Sequence, residues 1–237
     1  MSYRFFSISL LLLIVICTGC QTLPLTEPKS DFSDPLIYES LWNSNETAVF
    51  VMDKNQYRAV YSVENSSEIE LYRIHRINTK KPLSISDVQF KHTNGTIAFE
   101  SEIHIEQNRS FTLVTLPSKN GKLAFTSPRS GKSFQAPIAL SGNYTVILPK
   151  DSDISISLLS KVIPSNHTTT LSPNQPKIRW ENLSGGAIHV QYYLIRDSQL
   201  LAALLLLCSV SLLFYMVHFW WKMKHITKKK IDIEPPV

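Results

Sequence analysis

Residues 48–74 read AVFVM-DKNQ-YRAVYSV-ENSSE-IELYRI, which is three runs of β-branched and aromatic residues separated by two polar segments. The third run alternates, since Ile69 and Leu71 are apolar and the residue before each of them is glutamate. A period of two is typical of a strand that buries one face, and Asn, Asp and Ser between the runs favour turns. The stretch therefore predicts consecutive β-strands joined by tight turns.

Runs of the same kind continue through the middle of the chain. They occupy residues 88–91, 96–99, 110–116, 122–125, 144–148, 154–158, 178–180 and 187–195. Strands and turns at a spacing of about 8–14 residues, without a 3.6-residue apolar stripe, are typical of an all-β sandwich. We therefore expect residues 33–198 to form a β-sandwich, or two packed β subdomains that divide near residues 117–121.

The N-terminus has the features of an export signal. A basic residue precedes the apolar run at residues 5–16, which is too short to span a bilayer comfortably. The sequence TGC follows at residues 18–20 and resembles a lipobox, in which a cysteine thiol receives a diacylglyceryl group. We expect residues 1–19 to be a signal peptide and residues 20–32 to be a tether lipidated at Cys20. Plain cleavage and an uncleaved anchor are the alternatives, and all three place the next domain outside the cytoplasm.

A second apolar segment, residues 199–221, predicts a transmembrane helix. It contains no formal charge, and as a helix its apolar part would extend roughly 33 Å, enough to cross a bilayer. Five lysines follow it, so the positive-inside rule predicts that residues 222–237 form a basic cytoplasmic tail. Two tryptophans at the lysine end suit an aromatic belt, and Tyr192 and Tyr193 are candidates for the opposite interface. The first expected partner is thus the lipid bilayer of the plasma membrane.

Charge and cysteine content exclude some classes of partner and site. Residues 21–198 contain 18 basic and 17 acidic residues, so the pI of 9.0 reflects the lysines beside the membrane segment. This balance gives no electrostatic footprint for nucleic acid. Cys17 and Cys20 belong to the signal region and Cys208 to the apolar helix, which leaves the middle domain without a thiol. We expect no disulfide and no cysteine-based metal site there.

Glycosylation sequons are unusually frequent. Seven of the twelve asparagines begin an Asn-x-Ser/Thr sequence, whereas roughly two would be expected by chance from the Ser and Thr content. These residues are Asn45, Asn65, Asn94, Asn108, Asn143, Asn166 and Asn182. Most of them fall in predicted turns, where a bulky glycan can be accommodated, although Asn, Ser and Thr also favour turns for their own hydrogen bonding. We predict that several of the seven are glycosylated.

A basic turn at Arg129 and Lys132 is the candidate site for binding a partner. Its Gly131-Lys132-Ser133 resembles the end of a phosphate-binding P-loop, but Thr126 stands where that motif requires glycine. A turn with proline, glycine and two cations between strands is free to project from the domain. We expect it to contact anionic lipid headgroups or an acidic surface of another envelope protein, the alternative being a solvated turn.

No catalytic motif is recognisable. The sequence contains neither a Gly-x-Ser-x-Gly elbow nor a His-Glu-x-x-His helix, and the histidines of the middle domain lie one per segment. We predict no catalytic, cofactor-binding or metal-binding residues, although an exported hydrolase with a spatially assembled site is an alternative.

Several segments resemble an uncharacterised family of archaeal membrane lipoproteins that is familiar from halophiles and known only as a domain of unknown function. The resemblance is carried by LP at residues 116–117, GKLAFTSPRSGK at 121–132, LLSKV at 158–162, IRW at 178–180 and VQYYLIRD at 190–197. It implies the same layout of lipidated N-terminus, outer domain and C-terminal helix, and it implies no activity. The domain lacks the strongly acidic composition of the halophilic relatives.

The combined features predict a membrane-anchored cell-surface lipoprotein with an interaction or structural role and no enzymatic activity. Anchors at both ends of the domain would hold it against the bilayer. The alternative is an accessory or sensor subunit of a membrane complex that works through its transmembrane helix. The sequence does not indicate an oligomeric state.

Overall fold

The computed structural model describes residues 38–75, 79–172 and 175–233, with every side chain in these ranges except those of His75, Ser172 and residues 225–233. The predicted signal peptide, Cys20 and the tether lie outside the described residues, so these assignments stay predictions.

An eight-stranded sheet forms the larger layer of the domain. Its strands are β1 (Ala48–Met52), β2 (Gln56–Val63), β5 (Ser86–His92), β6 (Ile97–Phe99), β9 (Gly121–Pro128), β11 (Gly142–Ile147), β14 (His167–Ser172) and β15 (Gln175–Leu183). They are ordered β14-β15-β11-β1-β2-β9-β5-β6. Every neighbouring pair is antiparallel except β1 and β11, which are parallel. Since β2 and β9 pair along their whole lengths, the segments before and after residues 117–121 share this sheet.

Smaller sheets lie against one face of the large one. Their strands are β3 (Glu68–His75), β4 (Thr79–Pro82), β7 (His104–Gln107), β8 (Thr112–Thr115), β10 (Ser133–Pro137), β12 (Ser152–Asp153), β13 (Lys161–Ile163), β16 (Ala187–Gln191) and β17 (Tyr193–Leu194). They form a four-stranded sheet, β4-β3-β8-β7, a three-stranded sheet, β10-β16-β13, and the pair β12-β17. A 3-10 turn, Glu100–Glu102, precedes β7.

The main core lies between these layers. Alternate residues of the large sheet point into it, as the alternating pattern predicts, and they include Phe50, Tyr61 and Trp180. Phe134 of β10 approaches from the other side, with its ring centroid 5.1 Å from that of Phe50. Val114 of β8 is also fully buried in this cluster. The sheets therefore share one apolar interior.

A short helix covers part of the opposite face of the large sheet. This helix, α1 (Glu39–Trp42), buries Leu41 and Trp42 against a second cluster that includes Val49 and Val60. The Lys122 ammonium donates to the carbonyls of Trp42 at 2.7 Å and Ser44 at 2.5 Å. A lysine that bonds the last carbonyls of a helix stabilises its C-terminus, so Lys122 fastens α1 to β9.

The last element that the structure describes is a long helix, α2 (Ile195–Ile233), most of which is apolar. Its part from Ile195 to Lys224 is long and apolar enough to cross a membrane, and the most apolar stretch of that part is not buried in the domain. Among the residues that the structure describes, it is the one helix with these properties. The predicted fold class, an all-β sandwich followed by one C-terminal membrane-length helix, is confirmed.

One predicted strand is wrong. Residues 154–158 form a loop and a turn after β12, although Ile154, Ile156 and Leu158 alternate with serines. The Asp153 carboxylate accepts hydrogen bonds from the amides of Ile154 and Ser155, at 2.6 and 3.0 Å. Such local side-chain bonds compete with pairing in a sheet, and here they satisfy the backbone groups that a strand would offer to a neighbour.

Candidate functional site

The predicted basic turn connects β9 to β10 at one end of the eight-stranded sheet. The Arg129 amide donates to the carbonyl of Asn55, in the turn between β1 and β2, at 2.8 Å. Gly131 has a φ of 71°, a left-handed conformation that residues with a Cβ rarely adopt, which explains glycine at this position. The turn is therefore held in a defined conformation against the sheet.

Both cations of this turn contact the segment that leads into α2. Arg129 Nη2 donates to the Tyr192 hydroxyl and, at 2.7 Å, to the carbonyl of Gly131, while the guanidinium lies 5.2 Å from the centroid of the Tyr192 ring. Lys132 Nζ donates to Asp197 Oδ2 at 2.6 Å. The turn thus bonds to the base of the helix of its own chain. Binding of a separate partner by Arg129 and Lys132 stays a prediction.

A second loop holds the same segment. β12 pairs with β17, and the Tyr193 hydroxyl donates to Asp153 Oδ2 at 2.7 Å. Burial raises the pKa of the Asp153 carboxyl, but hydrogen bonds from Ser155, Tyr193 and Ile154 outweigh this effect and bring the pKa below its ordinary value. The carboxylate is therefore stabilised in its charged form by the residues that it joins.

The first turn of α2 completes this arrangement. Asp197 Oδ2 accepts the Leu194 amide at 2.8 Å, which is the acidic half of a capping box at a helix N-terminus. The Ile195 amide donates to the carbonyl of Asp151 at 2.9 Å. We call the three bonded segments the helix joint; they are residues 129–132, 151–155 and 192–197.

The expected placement of Tyr192 and Tyr193 in an aromatic belt is wrong. Each of them is only 4% exposed, because their rings pack within the β-domain and their hydroxyl groups bond Arg129 and Asp153. Sequence reasoning assigned them to the membrane because they lie close to the apolar run. They are buried because they directly follow β16, the central strand of the three-stranded sheet, and because Tyr193 lies in β17, which pairs with β12.

A basic cleft adjoins the helix joint. Arg73 of β3 and Lys81 of β4 form one wall, and residues 128–130 form the other, around a volume of about 390 Å³. A neighbouring depression of about 290 Å³ shares Arg73, Arg129 and Ser130. Sequence reasoning identified only Arg129 here. The remaining cations lie about 50 residues earlier in the chain, and only the packing of β3 and β4 beside β9 brings them together.

Six of the seven sequons lie at the other end of the eight-stranded sheet. The cross-strand register places the starts of β1, β9, β11 and β14 beside the ends of β2, β5 and β15. At this end, which we call the sequon end, lie Asn45, Asn65, Asn94, Asn143, Asn166 and Asn182. The seventh, Asn108, lies in the turn between β7 and β8. The helix joint lies at the opposite end, which we call the helix end.

Exposure distinguishes the sequons. Asn143 is half-buried, and its side-chain Oδ1 accepts a hydrogen bond from the backbone amide of Asn182 at 3.1 Å. The asparagines of the six other sequons are exposed. The hydroxyl residue of its sequon, Thr145, is fully buried in β11. Asn94, in contrast, lies exposed in a turn, where its side-chain Oδ1 accepts hydrogen bonds from the backbone amide and the hydroxyl group of Thr96. Accessibility is therefore lowest at Asn143.

A serine and a histidine come together beside the cleft. Ser133 Oγ lies 3.3 Å from His189 Nε2, and Gln135 Nε2 lies 3.2 Å from His189 Nδ1. The donor and the acceptor in each of these two contacts depend on the tautomer of His189. Burial and the nearby Lys161 lower the pKa of His189. In the part of the chain that the structure describes, no three His, Cys, Asp or Glu residues cluster as metal ligands.

Comparison with known proteins gives one relationship. A family model described as a family of unknown function (DUF5803) matches residues 43–236, from just before β1 to beyond the end of α2. No curated protein and no solved structure matches the chain. Archaeal origin and lipidation, which the sequence resemblance implied, stay predictions. Since the match covers far more than half of the chain, the protein belongs to this family of unknown function, DUF5803.

Proposed function

We propose that this chain is a single-pass membrane protein that displays its β-sandwich outside the cytoplasm for an interaction or structural role in the cell envelope, without catalysis. The observation that carries this proposal is the opposite placement of the sequons and the helix. Six asparagine sequons lie at the sequon end, and α2 leaves from the helix end. This polarity is the one expected of a glycosylated domain that is displayed on a membrane.

The polarity supports display because a glycan is bulky and hydrated. It would be excluded from a surface that lies against a bilayer, but it can project freely from the far end of the domain. The five lysines after the apolar segment favour a cytoplasmic C-terminus, which orients the sequon end outward. Glycans would then cover the outer end and leave the helix end free for contacts near the membrane.

Topology is tested with an impermeant maleimide on intact cells. Lys119, exposed at the sequon end, is replaced by cysteine in one variant, and Lys229 is replaced in another. We expect Lys119→Cys to be labelled in intact cells and Lys229→Cys only after permeabilisation. The unsubstituted chain measures the background from its own three cysteines. The reverse labelling pattern overturns the proposal.

Glycan occupancy is tested by mass spectrometry of intact peptides. We expect glycans on at least three of the six exposed asparagines, with Asn94 among them, and the lowest occupancy at Asn143. Peptides without glycan at all seven positions would show that the asparagines only form turns. That result would remove the support that the placement of the sequons gives to the display proposal.

Lipidation at Cys20 would add a second anchor to the same domain. The TGC sequence at residues 18–20 supports it. We expect a diacylglyceryl mass on the N-terminal peptide, absent from Cys20→Ala, while both proteins stay in the membrane fraction through α2. An unmodified mature N-terminus in the natural chain contradicts the lipoprotein assignment but leaves the single-pass anchor in place.

The helix joint favours a second candidate function, an accessory or sensor subunit of a membrane complex. A domain bonded to its helix through several side chains can transmit a change in orientation, and α2 exposes apolar side chains on all sides for a partner helix. The test replaces residues 200–221 with an unrelated apolar helix of equal length. Loss of a copurifying membrane protein supports the accessory role, whereas unchanged copurification supports the role of the displayed domain alone.

A further inference from the structure

The basic cleft at the helix end contains positive charge that no acidic residue in the described part of the chain pairs with. Arg73, Lys81 and Arg129 line it, and no acidic residue does. None of the ion pairs among the described residues includes these three side chains. Other cations of the domain do pair with acids, for example Arg179 with Glu46 at 3.1 Å. The cleft therefore brings three cations to one volume without an acidic residue in its lining.

The arginines of the cleft bond only neutral groups. Arg73 Nη2 donates to the carbonyl of Pro128 at 2.9 Å, and Arg129 bonds Gly131 and Tyr192. Arg129 Nε and Nη1 are shielded from solvent and have no hydrogen-bond partner. Leaving a partly buried guanidinium without a counter-ion costs free energy, which an anion in the adjoining cleft would offset.

The lining groups suit phosphate. Guanidinium and ammonium groups that line the same cleft can bind several oxygens of one phosphate, and arginine does so with paired N–H donors. Ser84 and Ser130 also line the cleft and add hydroxyl donors. The walls are fixed, because Ser127 Oγ donates to the carbonyl of Ser84 at 2.7 Å and thereby fastens the β4–β5 loop to β9.

The position of the cleft relative to α2 identifies the source of the phosphate. Arg129 contacts Tyr192, three residues before the helix begins, and Lys132 in the same turn bonds Asp197. The apolar segment starts at Leu200, about 5 Å further along the helix axis. Since each headgroup layer of a bilayer is roughly 5–8 Å thick, this spacing would place Arg129 near the depth of the lipid phosphates when α2 spans a bilayer.

We propose that the cleft lined by Arg73, Lys81 and Arg129 binds the phosphate of an anionic lipid headgroup in the leaflet where α2 enters the membrane. This inference rests on the proposed function, because it requires that α2 spans the bilayer. A bound headgroup would hold the domain against the membrane on the side where the helix joint also restrains it, so that the orientation of the β-sandwich is fixed at two points.

The test uses the full-length protein in a nonionic detergent and short-chain dihexanoyl phosphatidylglycerol as the probe. We expect this lipid to raise the Tm and dihexanoyl phosphatidylcholine to leave it unchanged. Lys81→Gln should weaken binding about fivefold, the change expected from losing roughly 1 kcal/mol for one cation near anionic lipid. Lys119→Gln, which removes the same charge at the sequon end, is the matched control and should bind like the unsubstituted protein.

Three results would overturn the proposal. The first is equal binding of the two lipids, and the second is an equal loss of phosphatidylglycerol binding in Lys81→Gln and Lys119→Gln. The third is binding of inorganic phosphate as tight as that of phosphatidylglycerol, because that would assign the cleft to a free anion. Arg73→Gln serves as a second variant, with its Tm without lipid as the check on folding. Binding in micelles does not depend on topology, so its failure leaves the maleimide result intact and is distinguishable from failure of the proposed function.

Discussion

At the sequon end of the eight-stranded sheet lie six sequon asparagines, five of them exposed, whereas at the helix end the loops are bonded to the first turn of α2. Both ends are formed by the termini of the strands of this sheet and by the segments that connect them to other strands. They differ in what the side chains of those segments bond. The sequon end leaves all of its sequon asparagines except Asn143 exposed, and the helix end uses its charged and hydroxyl groups for contacts within the chain.

Two lysines show why residue type alone does not separate these ends. Lys122, at the start of β9, donates to two backbone carbonyls and fastens α1 to the sheet. Lys132, after the end of β9, donates to a carboxylate and fastens α2. Lys122 bonds neutral acceptors in a partly buried site, whereas Lys132 forms a more exposed ion pair. Stability, pH dependence and salt dependence should therefore differ between the two ends.

The largest expected effect comes from the core that both ends share. Trp180 is fully buried, and its Nε1 donates to the carbonyl of Pro164 at 2.9 Å. We expect Trp180→Ala to lower the free energy of unfolding by about 3–5 kcal/mol. The measurement is urea unfolding of the full-length protein in detergent, followed by far-UV circular dichroism. Trp180→Phe, which keeps most of the volume, is the control and should cost less.

Hydrogen exchange on Trp180→Ala also tests whether the two ends unfold together. One shared core predicts that amides of β1 and β2 lose protection at both ends to a similar degree. Loss that stays confined to β14 and β15 would contradict a single cooperative unit and would favour separate β subdomains.

The next effect concerns the sequon end. Lys122→Met leaves the carbonyls of Trp42 and Ser44 without their donor, so we expect a loss of about 1.5–3 kcal/mol in unfolding free energy at pH 7. Burial, together with repulsion from Lys91, lowers the pKa of Lys122 in the folded protein. At this site the unfolded chain then binds more protons than the folded one as the pH approaches the ordinary lysine pKa, so the contribution of Lys122 to stability rises with pH in that range.

Lys122→Met should lack this rise, which makes pH a second measurement of the same contact. Unfolding free energies at pH 7 and pH 9.5 are compared for the variant and the unsubstituted protein. Lys119→Met, an exposed substitution three residues earlier in the loop before β9, is the matched control. An equal pH dependence in all three proteins would show that the Lys122 ammonium does not titrate in a buried site.

Much of the fold was predictable because it follows from local patterns. Alternation in residues 68–71 and the β-branched runs at 48–52 and 57–63 locate β1, β2 and β3 closely. The helix α2 follows from the length of its apolar run. Residues 154–158 were assigned wrongly because hydrogen bonds to Asp153 and Ser160, which no propensity contains, capture the backbone.

The candidate sites were less predictable, because they depend on contacts between distant segments. Arg129 was identified from its turn, but the acceptor Tyr192 lies 63 residues later. Arg73 and Lys81 join Arg129 only through strand packing. The sequons were visible in the sequence, yet their placement at one end follows from the order of strands in the sheet, which a single sequence does not provide.

A smaller effect is expected at the helix joint from Tyr193→Phe. This change removes the hydroxyl that donates to Asp153, and we expect a loss of about 1–1.5 kcal/mol at pH 7. The Asp153 pKa is lowered in the folded protein, so its contribution is present above the ordinary carboxyl pKa of about 3.9 and is lost as the pH falls through the lowered value. The difference between the two proteins should shrink as the pH falls below the ordinary carboxyl pKa, and a difference that is independent of pH would contradict this origin.

The smallest effect on global stability is expected from Lys132→Gln. The pair with Asp197 is 2.6 Å long, but the lysine side chain is 45% exposed, and such pairs contribute about 0.2–1 kcal/mol. At 1 M salt the Debye length is about 3 Å, so the loss of unfolding free energy in Lys132→Gln should nearly vanish there, unlike the loss in Lys122→Met.

The effect of Lys132→Gln on local opening at the helix start should be larger than its effect on global stability. Asp197 also accepts the Leu194 amide, and without Lys132 its side chain is held less firmly at the start of α2. We therefore expect faster hydrogen exchange at residues 194–198, with Lys150→Gln, an exposed change close to the joint, as the control. Unchanged exchange there at low salt would show that the backbone bonds of β12 and β17 hold the joint without the ion pair.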